Sequence, residues 1–264
     1  VWTSPITFVA SANCALYCGA KVDFVDIDQH TGLISVQKLQ DKLIRAERDG
    51  KLPKILIPVH LTGTSCEMEE IKKLSNKYGF KIIEDASHAI GGIYNGSPVG
   101  SCKYSDITVF SFHPVKIITT AEGGAAMTNS DELAHKMRNY RTHGIEKKED
   151  FLQKKNVGPW YYEQQTIGFN YRLTDLQASL GISQINRLDN IIKTRNNLLN
   201  NYLEILKELP LSFLEIPNKT ISSVHLAVIL ISNEFVNSYK EIFNGLRKQN
   251  IGVQLHYLPV HLHP

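Results

Sequence analysis

Short apolar runs alternate with amphipathic stretches over the first two thirds of the chain. Residues 6–10 read as a strand or strand end, 22–25 as a strand and 55–59 as a buried strand. Residues 81–83 form another, running straight into Glu84 and Asp85. Between them, 11–18 reads as a short helix closed by Gly19, which suits a left-handed C-cap. Ser35 is placed to cap a helix reaching about Arg48, with Val36, Leu39, Leu43 and Ile44 on one face. A third helix, 68–78, stops at Gly79. Strands and helices in this order predict right-handed crossovers and a mainly parallel central sheet flanked by helices, an α/β fold.

The pattern then changes. Asn95-Gly96 is a tight-turn signal. Strands are expected at 107–112 and 124–128, with Lys116 between them, and a helix at 131–140. Residues 144–168 are polar and aromatic, with Gly158-Pro159-Trp160-Tyr161-Tyr162 as a rigid insert. Thr174, with Asp175 in the first turn, starts a long helical pattern reaching about Leu209. Gly181 interrupts it at a cost of about 1 kcal/mol relative to Ala, so close packing against another backbone is expected there. A strand at 224–231, a helix at 241–249 and a strand at 251–257 read as a small α+β unit. The expected division is a large domain over 1–175, a connecting helix over 176–209 and a small domain over 210–264. No internal repeat or low-complexity tract interrupts it.

Composition narrows the function. The 264 residues are 42% hydrophobic and 21% charged, ordinary globular values. A chain of this size can fold on its core without disulfides or a structural metal. The net charge of +3, from 29 basic and 26 acidic residues, argues against a nucleic-acid surface. No apolar run is long enough to span a membrane, and Val1 to Pro5 carry no signal-peptide pattern. Cys14, Cys18, Cys66 and Cys102 have neither CxxC nor zinc spacing, so buried, reduced cysteines of a cytoplasmic protein are expected. The chain opens on a strand without an initiating Met and stops at His263-Pro264 without a polar tail. A piece of a longer protein, cut at both ends, is therefore expected.

Two stretches carry chemistry. Lys116 stands alone among apolar and hydroxyl residues just after a buried strand. Burial would favour its neutral amine, and a neutral amine can attack a carbonyl to form a Schiff base. The blander alternative is a loop lysine whose head reaches water. That alternative leaves Gly123-Gly124 unexplained, which would let backbone approach a ligand closely. The second stretch places Asp85 at the C-terminal end of a parallel strand, where ligand sites of open α/β sheets lie. A buried Asp there needs a cationic partner; the blander alternative is an Asp capping the next turn. His88 could be a core histidine, a proton donor or a stacking group. A Schiff-base lysine with a strand-end carboxylate suggests pyridoxal 5'-phosphate, whose ring nitrogen an Asp keeps protonated.

Three segments then carry a resemblance. They are Asp85-Ala86-Ser87-His88-Ala89-Ile90-Gly91, Ser111-Phe112-His113-Pro114-Val115-Lys116 with Thr120-Ala121-Glu122-Gly123-Gly124, and Gly168-Phe169-Asn170-Tyr171-Arg172-Leu173. Together they resemble the signatures of the DegT/StrS sugar-nucleotide aminotransferases, and the resemblance runs from Trp2 to the end of the chain. It implies the fold type I of pyridoxal phosphate-dependent transferases, with an incomplete small domain. The run Trp2 to Asn13, Gly158 to Tyr162 ahead of Gly168-Phe169-Asn170, His256-Tyr257 and Pro259-Val260-His261 are similar to members of the pseudaminic acid pathway. Those members imply L-glutamate as amino donor and a UDP-linked 2-acetamido-2,6-dideoxy-hexos-4-ulose as acceptor.

The resemblance also implies roles. Lys116 matches the Schiff-base lysine and proton shuttle. Asp85 matches the carboxylate at the pyridine nitrogen, and His88 a residue near the ring's phenolic oxygen. Phe8 matches the aromatic that stacks on the ring, and Ser111 a hydroxyl that binds the phosphate. Asn170 matches a residue reaching the phosphate of a neighbouring subunit, which implies a homodimer with shared sites. His113, His143, Arg172, His256 and Tyr257 are weaker candidates for substrate binding. A Gly-Thr helix start that gives the phosphate further N–H groups is expected ahead of Val1.

Three competing readings remain. A sugar dehydratase of the same family carries histidine in place of the lysine, so Lys116 argues for transamination. A Rossmann nucleotide module or a noncatalytic sugar-nucleotide-binding protein predicts a G-x-G-x-x-G after the first strand, and the chain has none. A zinc site on His256, His261 and His263 lacks a second ligand cluster.

Overall fold

The computed structural model describes residues 1–264. The first strands are β1 (Trp2–Thr3), β2 (Asp23–Phe24), β3 (Ile55–Ile57) and β4 (Lys81–Asp85). β5 (Ile93–Tyr94) and β6 (Ser97–Pro98) form a hairpin, followed by β7 (Ile107–Ser111) and β8 (Gly124–Met127). The central sheet has the order β2-β1-β3-β4-β7-β8; every pair is parallel except β7 with β8. The antiparallel edge arises because the twelve-residue connection carrying Lys116 forms no helix and returns from β7 directly into β8.

Helices α1 (Ala10–Tyr17), α2 (Val36–Arg48) and α3 (Met68–Tyr78) connect the first strands. Ser35 caps α2 by accepting the Lys38 N–H, and Leu39, Leu43 and Ala46 are its buried stripe. Gly79 ends α3 in the left-handed region at φ 78°. The buried faces of α2 and α3 meet the sheet in one cluster that includes Trp2, Val25, Leu56, Met68, Ile71, Phe80 and Ile82. Burying a Leu or Ile of this kind contributes about 1.5–3 kcal/mol, so this core holds the strand ends rigidly.

Several expectations need correction. Residues 6–10 are not a strand: Pro5 has no N–H for the ladder, β1 ends at Thr3 and the chain turns into α1. Cys14 and Cys18 are exposed, because α1 buries Ser11, Ala12 and Ala15 instead; Cys66 and Cys102 are buried. The long helix is two, α5 (Asp175–Ile185) and α6 (Leu188–Ile205), following α4 (Asp131–Arg141). Its break seats Leu188 and Ile192 of α6 on Gly91, where a Cβ would lie 2.8 Å from Ile192. Gly181 is closely packed, but against the Thr120 side chain and not a backbone: a Cβ there would lie 2.9 Å from Thr120 Cγ2. Gly124 makes room for a neighbouring strand, its would-be Cβ lying 2.6 Å from the Phe110 carbonyl oxygen.

The 144–168 insert carries a short antiparallel pair, β9 (Ile145–Glu146) with β10 (Glu163–Gln164). Near the C-terminus, β11 (Leu211–Phe213) pairs with β13 (Ile229–Ile231), and β12 (Thr220–Ile221) joins β5. The strand expected at 224–231 is cut to β13, because Val224 takes a left-handed φ of 47°. Helix α7 (Tyr239–Lys248) forms as expected. The strand expected at 251–257 does not form. Its alternation is present, but no neighbouring strand offers a ladder. The segment instead brings Tyr257 beside His88, and Val260 N–H to the Pro5 carbonyl. No helix is long and apolar enough to cross a membrane.

Candidate active site

Side chains alternate along a strand, so Glu84 and Asp85 leave β4 on opposite faces. Asp85 is half-buried. Its Oδ2 accepts from Ser11 Oγ at 2.5 Å and its Oδ1 from the Ser87 N–H at 3.1 Å. The second bond is the turn-capping role weighed above, and it occupies only one of the two carboxylate oxygens. Ser11 stands in the first turn of α1, 2.7 Å from Thr7 Oγ1. Asp85 forms no ion pair with any side chain of the chain.

Glu84 turns into the interior. Its Oε2 accepts from His60 Nε2 at 2.6 Å, and its Oε1 from Thr108 at 2.9 Å and from Ser105. His60 Nδ1 accepts the Cys66 N–H at 3.2 Å, which fixes the neutral Nε2–H tautomer. Burial opposes ionisation of Glu84, but the hydrogen bonds from His60, Ser105 and Thr108 hold its carboxyl below the usual range. The His60 N–H also donates to the Asp85 carbonyl at 3.0 Å. One residue therefore ties the β3 exit to both carboxylate residues of β4.

Lys116 sits in the turn between β7 and β8, its N–H donating to the His113 carbonyl at 2.9 Å. Buried Ile117 and Ile118 anchor the turn. The side chain is half-buried, and its ammonium has neither a hydrogen bond nor an ion pair. Burial lowers its pKa, and the charge of Asp85 pulls it partly back.

His88 is buried beside them. Burial, then the charge of Lys116 and those of His225 and His256, push its pKa to about 2, so the ring is neutral. Burial and the Asp85 charge push Tyr257 up to about 12. Tyr257 therefore keeps its proton, and its hydroxyl is hydrogen-bonded to His88 Nε2 at 3.2 Å. His88 Nδ1 is buried with no partner in the chain, and where Tyr257 donates to Nε2 the imidazole proton sits on Nδ1. His256 packs edge-on against Tyr257, with centroids 4.8 Å apart. Phe8 presents a ring that is 60% exposed, 6.4 Å from that of Tyr257. Ser111 ends β7, its Oγ accepting the His113 N–H at 3.5 Å; His113 itself is exposed, 4.0 Å from Glu122.

Asn170, Arg172 and His143 form a second group on the surface. Arg172 Nε donates to Asn170 Oδ1 at 3.0 Å, Asn170 bridges to Thr142, and the His143 N–H donates to the Phe169 carbonyl. Three contributors escaped the sequence reading: Ser11, the His60–Glu84 pair and His225. Alternation on β4 could have separated Glu84 from Asp85. No pattern marks the others, because their partners lie far along the chain.

The arrangement has a definite chemistry. It offers a desolvated amine without a partner, a carboxylate without a cation and a buried imidazole nitrogen without a partner. An open aromatic face stands beside them. These fit a flat heteroaromatic ring that carries a carbonyl, a protonated nitrogen and an anionic oxygen.

Comparisons with known proteins give the chain's relatives. The model of the DegT/DnrJ/EryC1/StrS aminotransferase family matches residues 1–264. The UDP-4-amino-4,6-dideoxy-N-acetyl-beta-L-altrosamine transaminase of Campylobacter jejuni is 40% identical over 263 residues, covering 99% of this chain and 66% of that enzyme. The GDP-perosamine synthase of Vibrio cholerae is 30% identical over 258 residues, covering 98% of this chain and 65% of its own length. The solved structure of Helicobacter pylori PseC, an aminotransferase involved in the biosynthesis of pseudaminic acid, superposes with a TM-score of 0.88 at 36% identity, covering 99% of this chain and 66% of that one. The chain thus spans about two thirds of the length of the relatives it matches.

Proposed function

The chain belongs to the DegT/DnrJ/EryC1/StrS aminotransferase family and has the fold type I architecture of pyridoxal phosphate-dependent transferases; from that premise we propose that it transfers an amino group from L-glutamate to the 4-keto carbon of a UDP-linked 2-acetamido-2,6-dideoxy-hexos-4-ulose. The observation that carries the reading is Lys116, a desolvated amine without a protein partner within the electrostatic reach of an Asp85 that lacks a cation. Bound pyridoxal 5'-phosphate would supply an aldehyde that condenses with amines and a ring that accepts the electron pair of a deprotonated carbon.

The rest is the work of the chain. Lys116 Nζ would hold the aldehyde and, its proton loss eased by burial, take up and return the substrate's proton. Asp85 would keep the ring nitrogen protonated, aimed by Ser11 and the Ser87 N–H. His88 would donate Nδ1–H to the ring's anionic oxygen, with Tyr257 fixing the tautomer. Phe8 would cover one ring face and Ser111 would bind the phosphate. Asn170 would complete the phosphate site of a second subunit in a cytoplasmic homodimer. His113, His143, Arg172 and His256 remain candidates for contacting substrate.

Borohydride reduction in the presence of pyridoxal phosphate, followed by peptide mapping, tests the core of this reading. The adduct is expected on Lys116 and absent in Lys116→Ala. An adduct on a different lysine overturns the assignment. A second reading, the same chemistry on another nucleotide-linked keto-sugar, is favoured by the similarity to GDP-perosamine synthase. Amination of UDP- and GDP-linked 4-keto sugars, followed by mass spectrometry, separates the two.

A further inference from the structure

His225 has no part in the roles above, yet its ring lies against that of His88, with centroids 4.4 Å apart and planes tilted by 46°. The segment that delivers it comes from far along the chain and is tied down at many points. Ser223 Oγ donates to the His88 carbonyl at 3.0 Å, and the Ser223 N–H to the Gly63 carbonyl at 3.0 Å. The His225 N–H donates to the Thr62 carbonyl at 2.7 Å. Arg195 donates to the carbonyls of Val224 at 3.0 Å and His225 at 3.4 Å, and Asn196 to that of Ser222 at 2.9 Å.

The backbone is costly where these segments meet. Thr62 and Val224, both β-branched, hold left-handed φ values of 61° and 47°. A Cβ on Gly63 would lie 2.6 Å from Ser223 Oγ and 2.9 Å from the His88 carbonyl oxygen. Strain of this kind persists only where the surroundings over-determine it. Here its outcome is one imidazole placed against another. His225 is not a satisfied core histidine either, since its Nδ1 is buried without a partner.

We propose that His225 is a positioning residue of the site: it backs the His88 ring and fixes the direction in which His88 Nδ1 points. His88 is then held on three sides, at its carbonyl by Ser223, at Nε2 by Tyr257 and across its ring by His225. Without the backing ring, His88 can turn about its side-chain axis and lose the orientation of Nδ1 that Tyr257 and Ser223 help to hold. The proposal rests on the reading of this pocket as a pyridoxal phosphate site.

The test titrates pyridoxal phosphate into the wild type, His225→Ala and His225→Phe, and follows the affinity and the visible circular dichroism of the bound cofactor. Thermal unfolding without cofactor is recorded in parallel. His225→Ala should bind about two- to tenfold more weakly, the worth of one ring–ring contact, and lose part of the dichroic band. His225→Phe keeps a flat ring and should restore both. Arg195→Gln, which loosens the clamp outside the pocket, should shift both in the direction of His225→Ala and serves if that variant fails to fold. Unchanged affinity and band in His225→Ala, or a His225→Phe no better than His225→Ala, overturns the positioning role alone. A wild type that binds no cofactor removes the pocket reading and this proposal with it.

Discussion

At the scale of single residues, Asp85 and Lys116 act on each other through charge, and two predictions follow from the sign. Asp85→Asn removes a charge without changing shape. The fold and much of the cofactor should remain, because the amide oxygen can still accept the Ser87 N–H while the amide NH2 donates to Ser11 Oγ. Turnover should fall by about 10²–10³-fold, the usual loss when one electrostatic stabiliser is removed; near-normal turnover would give the carboxylate another task. The second prediction concerns proton loss from Lys116. Burial lowers its pKa from 10.5 and the Asp85 charge raises it again. The rate of pyridoxal phosphate capture should therefore rise with pH to a midpoint below 10.5. In Asp85→Asn the midpoint should move lower still, since a negative neighbour no longer favours the ammonium. Stopped-flow absorbance against pH reads both midpoints, and an upward shift in the variant contradicts the coupling.

At the scale of elements, the ends of β3, β4 and β7 are joined by the His60–Glu84 pair with Ser105 and Thr108. The pair lies behind Asp85, on the far face of β4. Glu84→Ala leaves the hydroxyls of Ser105 and Thr108 and the ring of His60 buried without their acceptor. It should cost about 2–5 kcal/mol in urea unfolding, since each buried donor left without an acceptor costs about 1–3 kcal/mol. The folded pKa of Glu84 is depressed, so its contribution is complete above the unfolded carboxyl value of roughly 4.3. It is lost as pH falls further, through the folded value. The stability gap between the wild type and Glu84→Gln should therefore be constant near neutrality and narrow on acidification. A gap that widens on acidification would show that Glu84 is protonated in the native protein.

At the scale of the whole molecule, one surface lacks a covering. Trp160, Ile167, Phe169, Tyr171 and Leu176 are all exposed on the stretch around Asn170. Apolar residues gathered in this way mark interaction surfaces, and a twofold copy is the commonest occupant. Asn170 bonds Arg172 within its own chain and touches none of the groups around Lys116. A role in phosphate binding thus requires a second subunit. Mixing Lys116→Ala protein with Asn170→Ala protein tests this. In a mixed dimer one site carries both defects and the other carries neither, so activity should partly return after subunit exchange. Exchange confirmed by mass without any return of activity rules out shared sites.

Sequence alone determined what depends on neighbours along the chain. Ser35, Gly79 and Asn95-Gly96 set element ends through bonds spanning a few residues, and the period of apolar positions set α2, α3, β4 and β7. Lys116, Asp85 and His88 were legible too, as polar residues out of place at the ends of buried strands. Tertiary structure decided the rest. The chain at 251–257 alternates like a strand, yet whether it pairs depends on a neighbour that no local pattern specifies. The helical pattern from Thr174 to Leu209 carries no mark of the break after Ile185, which packing of Leu188 and Ile192 on Gly91 imposes. Ser11, Tyr257 and His225 reach the site from segments 74, 169 and 137 residues away from Asp85 or His88, the first two by hydrogen bonds and the third by ring contact. Such contacts exist only once the chain has closed on itself, because side-chain hydrogen bonds and ring contacts act over a few ångströms and take no account of distance along the sequence.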